Sequence, residues 1–360
     1  MSKKHQEVLE YLERLIDSGA IADGEALPGE LELSRRLSVS RNTIRHALNQ
    51  LAQKYRIERT PGRGTIFRGE DSEANPKKTI GIINSSLMYT IYPELIHGIE
   101  EGLYHGGFSM LLANGNYDPE KERESARRML EQNVAGLIVE PMNSGLITPD
   151  NEFVKILNKS GIPVIMTNCS IPGARASYIS MDDEWIGRRA VEYLMENGHR
   201  RIACIYKSDT QAGLLRVEGY RRGLEQAGIV PDENLVRSYS QENADMLPGA
   251  LCTREVLDAP TGRPTAILFF NDQIALQAYG VFADYGLTIP DHISIIGIDN
   301  IPESAHVQPG LTTFNHPKYL MGKLAAEMML ARLGPHNDRT HYGVLMKPDI
   351  VERGSVRKPV

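Results

Sequence analysis

Residues 27–51, LPGELELSRRLSVSRNTIRHALNQL, decide the fold of the first part of this 360-residue chain. Their apolar residues recur at helical spacing in two runs, which predict a short helix over Glu30–Leu37 and a longer one over Arg41–Leu51. Only Ser38-Val39-Ser40 separates the two runs, and serine is a residue type that caps helix N-termini. Two helices joined by three residues are typical of a helix-turn-helix.

The second helix carries residue types that bind DNA bases. With Ile44, Leu48 and Leu51 on its buried side, the start of this helix faces outward. This turns Arg41, Asn42 and Arg45 outward, and Thr43 lies among them in the same turn. Arginine can bind guanine through two hydrogen bonds, and asparagine can bind adenine in the same way. We therefore expect this helix to enter the major groove of double-stranded DNA.

A predicted wing and a local positive charge support this interpretation. Residues 56–60 and 65–68 are predicted to be short strands, and Pro61-Gly62-Arg63-Gly64 is a turn with an arginine near its tip. Residues 35–68 contain nine lysines and arginines and one acidic residue, although the whole chain has a net charge of −6. Such a basic cluster is typical of a phosphate-binding module, so the pattern predicts a winged helix-turn-helix.

Three stretches of this region resemble the DNA-binding domain of the GntR family. They are LPGELEL from Leu27, VSRNTIRHAL from Val39 and RTPGRGTIF from Arg59. The resemblance implies a DNA-binding domain over residues 1–68. The DNA contacts that it implies come from Arg41, Thr43 and Arg45 in the recognition helix, Gly62 and Arg63 in the wing, and the motif glutamate Glu30. Leu31 and Asn42 depart from the family's frequent arginine and threonine, so the operator sequence does not follow by analogy.

Composition excludes several classes of protein. No run approaches the roughly 18 apolar residues of a membrane span, and the first residues lack the apolar segment of a signal peptide. The three cysteines, Cys169, Cys204 and Cys252, are widely spaced, and no cluster of cysteine and histidine indicates zinc. We expect a cytoplasmic protein that needs neither a metal nor another cofactor and does not bind membranes.

Beyond a polar segment, residues 69–78, which is predicted to be a linker, short apolar runs alternate with amphipathic helices. The predicted strands are 79–84, 109–113, 136–140, 163–167, 201–206, 266–270 and 293–298. Near-continuous runs of Ile, Val and Leu are typical of parallel strands buried on both faces. A break after Thr167 and a new helix from about Asp183 predict two such sheets and therefore an α/β domain of two lobes.

Polar side chains follow the predicted strands, at the edge where open parallel sheets bind ligands. They are Asn84-Ser85-Ser86, Glu140, Asn168, Lys207, Asn271-Asp272 and Asp299-Asn300. Helix capping is an alternative role, above all for Asp183 and for Asp272 before a helix predicted at 273–285. Glu140 is harder to explain in this way, because a carboxylate that ends an apolar strand needs a partner.

Six stretches spread over residues 79–360 resemble the effector domain of the LacI family. They are TIGIIN from Thr79, GLIVEP from Gly136, GHRRIA from Gly198, RVEGY from Arg216, PTAILFFND from Pro264 and IPDHISIIGID from Ile289. The resemblance implies the two-lobed fold of periplasmic sugar-binding proteins, with three crossovers between the lobes. By motif match, Asn168, Arg216, Asn271 and Asp299 would hold sugar hydroxyls, and His316 would lie on the third crossover segment.

A GntR-type head joined to a LacI-type body is similar to the arabinose repressors. That resemblance implies a repressor that is a homodimer held by its LacI-like domains, binds two-fold operator DNA and is released by L-arabinose. Glu140 and Lys207 belong to stretches that resemble the pocket of those proteins. Tyr92, expected in the loop after the first strand, is a candidate for stacking on the sugar ring or for the core.

Three alternatives stay open at this point. The first is a regulator with the same architecture that responds to another sugar or to a nucleoside. The second is a sugar-processing enzyme with a regulatory head, which the lack of a catalytic motif disfavours. The third is a binding protein of a transport system, which the basic head and the missing signal segment disfavour.

Overall fold

A computed structural model describes residues 3–18, 20–22, 24–51, 55–60, 64–70, 78–87, 90–334 and 340–358. The chain divides into two compact units, Met1–Lys78 and Thr79–Val360. Across the described residues, no helix combines the length and the apolar composition that crossing a membrane requires.

Within its described residues, unit 1 contains three helices followed by an antiparallel pair of strands. They are α1 (Lys3–Asp17), α2 (Glu30–Leu37), α3 (Arg41–Leu51), β1 (Tyr55–Thr60) and β2 (Gly64–Glu70). The predicted helices α2 and α3 are confirmed at both ends. The backbone N–H of Thr43 donates to Ser40 Oγ at 3.1 Å, so Ser40 caps α3 as expected. The order of the elements is that of a winged helix-turn-helix.

The buried side of α3 is also the predicted one. Ile44, Leu48 and Leu51 are at most 2% exposed, because they pack against apolar residues of α1 and α2. Strand β2 is longer than predicted, since Glu70 pairs with Tyr55, and it takes in the first two residues of the predicted linker. Residues 71–77 of that linker, and the wing residues Gly62 and Arg63, lie outside the described residues.

Unit 2 has two lobes, each built on a sheet with helices on both faces. In the described part of lobe 1, six strands, all parallel, lie in the order β13-β7-β6-β5-β3-β4. They are β3 (Thr79–Asn84), β4 (Ser109–Asn114), β5 (Gly136–Val139), β6 (Val164–Thr167), β7 (Ser177–Met181) and β13 (Gly343–Met346). The helices of lobe 1 are α4 (Tyr92–His105), α5 (Pro119–Glu131), α6 (Glu152–Lys159) and α11 (Lys318–Leu333).

Lobe 2 repeats this arrangement, with strand order β14-β12-β11-β10-β8-β9 over its described residues. Its strands are β8 (Ile202–Lys207), β9 (Val236–Tyr239), β10 (Ala266–Phe269), β11 (Ser294–Ile298), β12 (Thr312–Phe314) and β14 (Ile350–Val351), and only β14 is antiparallel to its neighbour. Its helices are α7 (Asp183–Glu196), α8 (Gln211–Gln226), α9 (Pro248–Leu257) and α10 (Asp272–Asp284). The seven predicted strands of unit 2 are present within one or two residues, whereas β7, β9, β12, β13 and β14 were not predicted, because these are short or mix polar with apolar residues.

In the part of unit 2 that the structure describes, the chain passes between the lobes three times. It does so between β7 and α7, between β12 and α11, and between β13 and β14. His316 lies on the second of these passages, so the expectation that it lies on the third is wrong. Strand β12, which ends just before this passage, was not predicted from the sequence, and neither were β13 and β14, which bound the third passage.

Glycine brings the helices of each lobe into close contact. A Cβ atom at Gly187 of α7 would lie 2.0 Å from the carbonyl oxygen of Arg216 in α8, closer than any real Cβ contact. A Cβ atom at Gly98 of α4 would lie 2.1 Å from the carbonyl oxygen of Tyr319 in α11. The α7–α8 contact matters for the site below, because it places the start of α7 beside Arg216.

Candidate functional site

A cleft of about 390 Å³ lies between the two lobes, at the carboxyl ends of β3, β5, β6, β8, β10 and β11. Its size is within the range of about 300–1,000 Å³ that is usual for small-molecule sites. The structure brings all the residues of the predicted effector site to this cleft. They are Tyr92, Glu140, Asn168, Lys207, Arg216, Asn271, Asp299 and His316.

Glu140 is the centre of the hydrogen bonds on the lobe 1 side. Tyr92 donates its hydroxyl proton to Glu140 Oε1 at 2.8 Å, and Asn168 Nδ2 donates to Oε2 at 2.9 Å. These are the partners that a carboxylate at a strand end was predicted to need. Removal from solvent raises the pKa of Glu140 to about 7, against the lowering effects of Asn168, Tyr92 and Lys207.

His316 extends this chain of hydrogen bonds from the crossover between the lobes. Its Nε2 lies 3.0 Å from Asn168 Oδ1, and because the amide oxygen only accepts, His316 donates here. Burial, together with the positive charges of Lys318 and Arg216, lowers the pKa of His316 to about 3, so the ring is neutral. In the described residues its Nδ1 has no hydrogen-bond partner, which leaves a buried acceptor at the edge of the cleft.

Arg216 is fixed from two directions on the lobe 2 side. Its Nε donates to Asp183 Oδ1 at 2.8 Å, and one terminal nitrogen donates to the carbonyl oxygen of Phe270 at 2.6 Å. The guanidinium carbon also lies 4.8 Å from the centre of the Phe270 ring. Burial raises the pKa of Asp183, although Arg216 opposes that shift. Asp183 therefore orients Arg216, a role that the sequence analysis missed because it favoured helix capping; the cap of α7 is Asp182.

Lys207 is a buried cation that faces the cleft from the end of β8. Its Nζ donates to Gln241 Oε1 at 3.0 Å, lies 3.6 Å from Asp209 Oδ1, and lies 5.2 Å from the centre of the Tyr117 ring. Burial lowers the pKa of Lys207, while Asp209 and Glu140 raise it. Sequence reasoning missed Asp209, Tyr117 and Gln241, since no motif marks them and they follow strands at different distances.

One expectation about a helix start in lobe 2 needs correction. Asn271 is the N-cap of α10, with its Oδ1 accepting from the backbone N–H of Ile274. Asp272, which was predicted to be that cap, is the first residue of the helix. Its carboxylate accepts from Ser304 Oγ and Thr313 Oγ1, each at 2.6 Å, and burial raises its pKa to about 6. Asp272 thus connects the start of α10 to Ser304 and to Thr313 of β12 rather than capping the helix.

Tyr92 and Asp299 complete the lining. Tyr92 is the first residue of α4 rather than a loop residue, and it is 4% exposed. Its hydroxyl also lies 2.8 Å from Ser85 Oγ, so it contributes a polar group to the site. Asp299 has a positive φ of 110°, and its carbonyl oxygen accepts from Lys318 Nζ at 2.5 Å. This contact ties the end of β11 to the start of α11.

In unit 1, the predicted DNA-binding residues share one surface at the start of α3. Arg41, Asn42 and Arg45 are exposed, whereas Thr43 is partly buried and its hydroxyl lies 2.8 Å from Ser40 Oγ. Glu30 of α2 accepts from Arg45 through both carboxylate oxygens, at 3.4 Å from Nε and 3.1 Å from a terminal nitrogen. These two hydrogen bonds hold the Arg45 guanidinium in one orientation, and a direct contact of Glu30 with DNA stays a prediction.

Each of the two units matches a known protein family. Residues 4–67 match the bacterial regulatory proteins of the gntR family, and residues 191–356 match a periplasmic binding protein-like domain. An arabinose metabolism transcriptional repressor of Geobacillus stearothermophilus is 32% identical over 355 residues, which cover 98% of this chain and 96% of the relative. The chain belongs to the family of these transcriptional repressors. It therefore has the predicted α/β architecture with a winged helix-turn-helix, and it is a transcriptional repressor rather than an enzyme.

One further relative and one solved structure are similar to this chain. An arabinose metabolism transcriptional repressor of Halalkalibacterium halodurans is 28% identical over 364 residues, covering 99% of this chain and 97% of the relative. The crystal structure of the transcription regulator CcpA of Lactococcus lactis has a TM-score of 0.68 at 24% identity, covering 78% of this chain and 100% of that one. The likeness to CcpA concerns the fold alone. No group of three or more potential metal ligands occurs among the described residues.

Proposed function

We propose that this repressor binds L-arabinose in the cleft between its lobes and that binding releases it from its operator. The observation that carries the proposal is the set of polar groups that converge on one cleft from both lobes: Glu140, Asn168 and His316 on one side, and Lys207 and Arg216 on the other. The names of the two arabinose relatives support the choice of sugar.

The chemistry of the cleft suits a small polyhydroxylated ligand. A sugar hydroxyl both donates and accepts, and the cleft offers the acceptors Glu140 and His316 Nδ1 together with the donors Lys207 and Arg216. A stereoisomer with one hydroxyl reversed would leave one of these buried groups unpaired, which costs binding free energy. This is how such a cleft distinguishes one pentose from another.

On the DNA side, we propose that Arg41, Asn42, Thr43 and Arg45 contact the operator from α3. Glu30 has an indirect role in this proposal, because its two hydrogen bonds hold the Arg45 guanidinium in one orientation. The resemblance to the GntR family assigns Gly62 and Arg63 of the wing to DNA as well. We further propose that the protein acts in the cytoplasm as a homodimer, with residues 1–68 as the DNA-binding domain and residues 79–360 as the domain for sugar binding and dimerisation.

Sugar and operator are then linked through lobe closure. If the sugar binds the closed form of unit 2 more tightly, and this form has the lower operator affinity, sugar weakens operator binding. By linkage, the operator weakens sugar binding by the same factor. A tenfold change requires only about 1.4 kcal/mol of coupling.

The test is thermal unfolding of the purified protein with L-arabinose, D-xylose, D-ribose, D-galactose and a nucleoside. A ligand at 100 times its dissociation constant stabilises by about 2.7 kcal/mol, which is a readily measured shift in the unfolding temperature. We expect L-arabinose alone to give this shift and to dissociate the protein from operator DNA. A shift with a different compound would replace the proposed effector, and operator binding that L-arabinose leaves unchanged would refute the proposal.

Two lysine variants locate the binding site. Lys207→Met removes a buried cation of the cleft and should abolish the shift with L-arabinose. Lys155→Met on α6, whose lysine pairs with Glu152 on the surface, should keep it. If L-arabinose shifted the unfolding temperature of both variants equally, the sugar would bind outside this cleft.

A further inference from the structure

Hydrogen bonds join the two lobes directly, away from the three crossover segments. Among the described residues, Gly145 N–H in lobe 1 donates to the carbonyl oxygen of Asp209 in lobe 2 at 3.1 Å. The backbone N–H of Gln211 in lobe 2 donates to Ser144 Oγ in lobe 1 at 3.1 Å. These contacts connect the loop after β5 to the loop that follows β8 and to the first residue of α8.

The side chain of Gln211 makes a second, two-point connection. Its Nε2 donates to the carbonyl oxygen of Ser170 at 2.6 Å, and its Oε1 accepts from the backbone N–H of Ser170 at 2.7 Å. Ser170 lies in lobe 1, in the loop between β6 and β7. The carboxamide of Gln211 therefore pairs with both backbone polar groups of one residue in the opposite lobe, much as a neighbouring strand would.

Backbone packing at this place is close as well. A Cβ atom at Gly145 would lie 2.8 Å from the carbonyl carbon of Thr210 and 2.9 Å from Leu214 Cδ1. The loop after β5 therefore reaches the start of α8 only because residue 145 has no side chain. Such an approach requires the lobes to be closed.

The sheet order shows that these contacts lie far from the crossover segments and therefore where opening of the lobes has the largest effect. The strands that adjoin the crossover segments are β7 and β13 in lobe 1 and β12 and β14 in lobe 2, and in each sheet they lie at one edge. Gly145 follows β5 and Asp209 follows β8, strands that lie towards the other edge of each sheet. When the lobes open about the crossover segments, groups far from those segments separate most, so these hydrogen bonds exist only in the closed form.

We propose that Gln211 is an interlobe latch, a positioning residue that stabilises the closed form of unit 2 without touching the ligand. Gln211 is absent from the lining of the cleft, whereas its neighbours Thr210 and Ala212 are part of it. The latch thus sets how much of the protein is closed before any effector binds. Its effect on operator release rests on the proposed function, but its effect on closure does not.

Hydrogen exchange of the Gly145 amide measures the latch in the full-length protein without any sugar. This amide bonds to Asp209 and not to Gln211, so its exchange reports closure of the lobes rather than local contact with the altered side chain. Gln211→Ala removes two interlobe hydrogen bonds and should speed this exchange about tenfold. Gln226→Ala, at the exposed end of the same helix, is the matched control and should leave it unchanged.

A second variant tests the same contact from lobe 1. Ser144→Ala removes the acceptor of the Gln211 N–H and should also speed exchange of Gly145, by a smaller factor. Amides in the centre of both sheets, such as Ile138 and Ile267, should exchange at the wild-type rate in every variant, which shows that the fold is intact. Unchanged exchange of Gly145 in Gln211→Ala would overturn the latch.

An L-arabinose titration separates this proposal from the proposed function. Because the sugar must then close the lobes without the latch, Gln211→Ala should need about tenfold more L-arabinose for operator release, while its operator affinity without sugar is not reduced. If L-arabinose releases neither the wild-type protein nor Gln211→Ala from the operator, the proposed effector is wrong. The exchange of the Gly145 amide then still tests whether Gln211 stabilises the closed form. If the sugar requirement is the same with and without the latch, the latch does not set the closed fraction.

Discussion

Replacement of Glu140 by glutamine should change how the free energy of unfolding of unit 2 depends on pH. In the folded protein, removal from solvent raises the pKa of Glu140 from an ordinary 4.5 to about 7. Between these two pH values the folded chain holds a proton that the unfolded chain has lost. The contribution of Glu140 to the free energy of unfolding is therefore fully present below pH 4.5, and it is lost as the pH rises through 7.

The size of the effect follows from that interval. At about 1.4 kcal/mol per pH unit, the wild-type protein should lose about 3 kcal/mol from this one group between pH 4.5 and 8. Glu140→Gln is neutral throughout and should lack this loss. Glu122 and Asp272, whose pKa values burial raises to about 7 and about 6, contribute equally to both proteins and cancel in the comparison.

Urea unfolding at several pH values measures this difference. Trp185 is the only tryptophan of the chain and lies in unit 2, 6.3 Å from the centre of the Phe314 ring, so its fluorescence reports unfolding of this unit. Glu152→Gln, at an exposed position of α6, is the control and should follow the wild-type protein. Curves of free energy against pH that run parallel for wild type and Glu140→Gln would refute the reasoning.

Two further predictions concern arginines. Arg41→Ala and Arg45→Ala should each cost about 1–3 kcal/mol of operator binding and leave L-arabinose affinity unchanged; equal operator titration curves for variant and wild type would remove α3 from the DNA interface. Arg216→Ala leaves the Asp183 carboxylate buried without its partner, so it should lower the free energy of unfolding by about 3–5 kcal/mol and abolish release by sugar. The companion Asp183→Asn/Arg216→Ala should recover part of the stability but not the response, and a variant that still responds would place the sugar elsewhere.

Local patterns determined much of the fold. The limits of α2 and α3 follow from two runs of helical spacing around three residues, and the strands with continuous apolar runs, such as β3 and β5, follow from their composition. These signals suffice because neighbours in sequence supply the contacts that form each element. Strands such as β12 and β14 were not predicted, because they are only three and two residues long and show too little of a sequence pattern. Their place in the sheet comes from pairing with strands that are distant in the sequence.

For the candidate site, too, the sequence predicted some features and only the tertiary structure showed the others. The sequence alone supplied the polar residues at strand ends, because parallel strands deliver their carboxyl ends to one edge, and motif resemblance added residues such as Arg216 and His316. Only the tertiary structure decided which of these groups bind one another: Asp183 pairs with Arg216, and Asn168 lies between Glu140 and His316. The latch at Gln211 is of the same kind, since its partner is the backbone of Ser170 in the other lobe, 41 residues away. Hydrogen bonds between lobes depend on how two sheets are brought together, and no local pattern of residues encodes that distance.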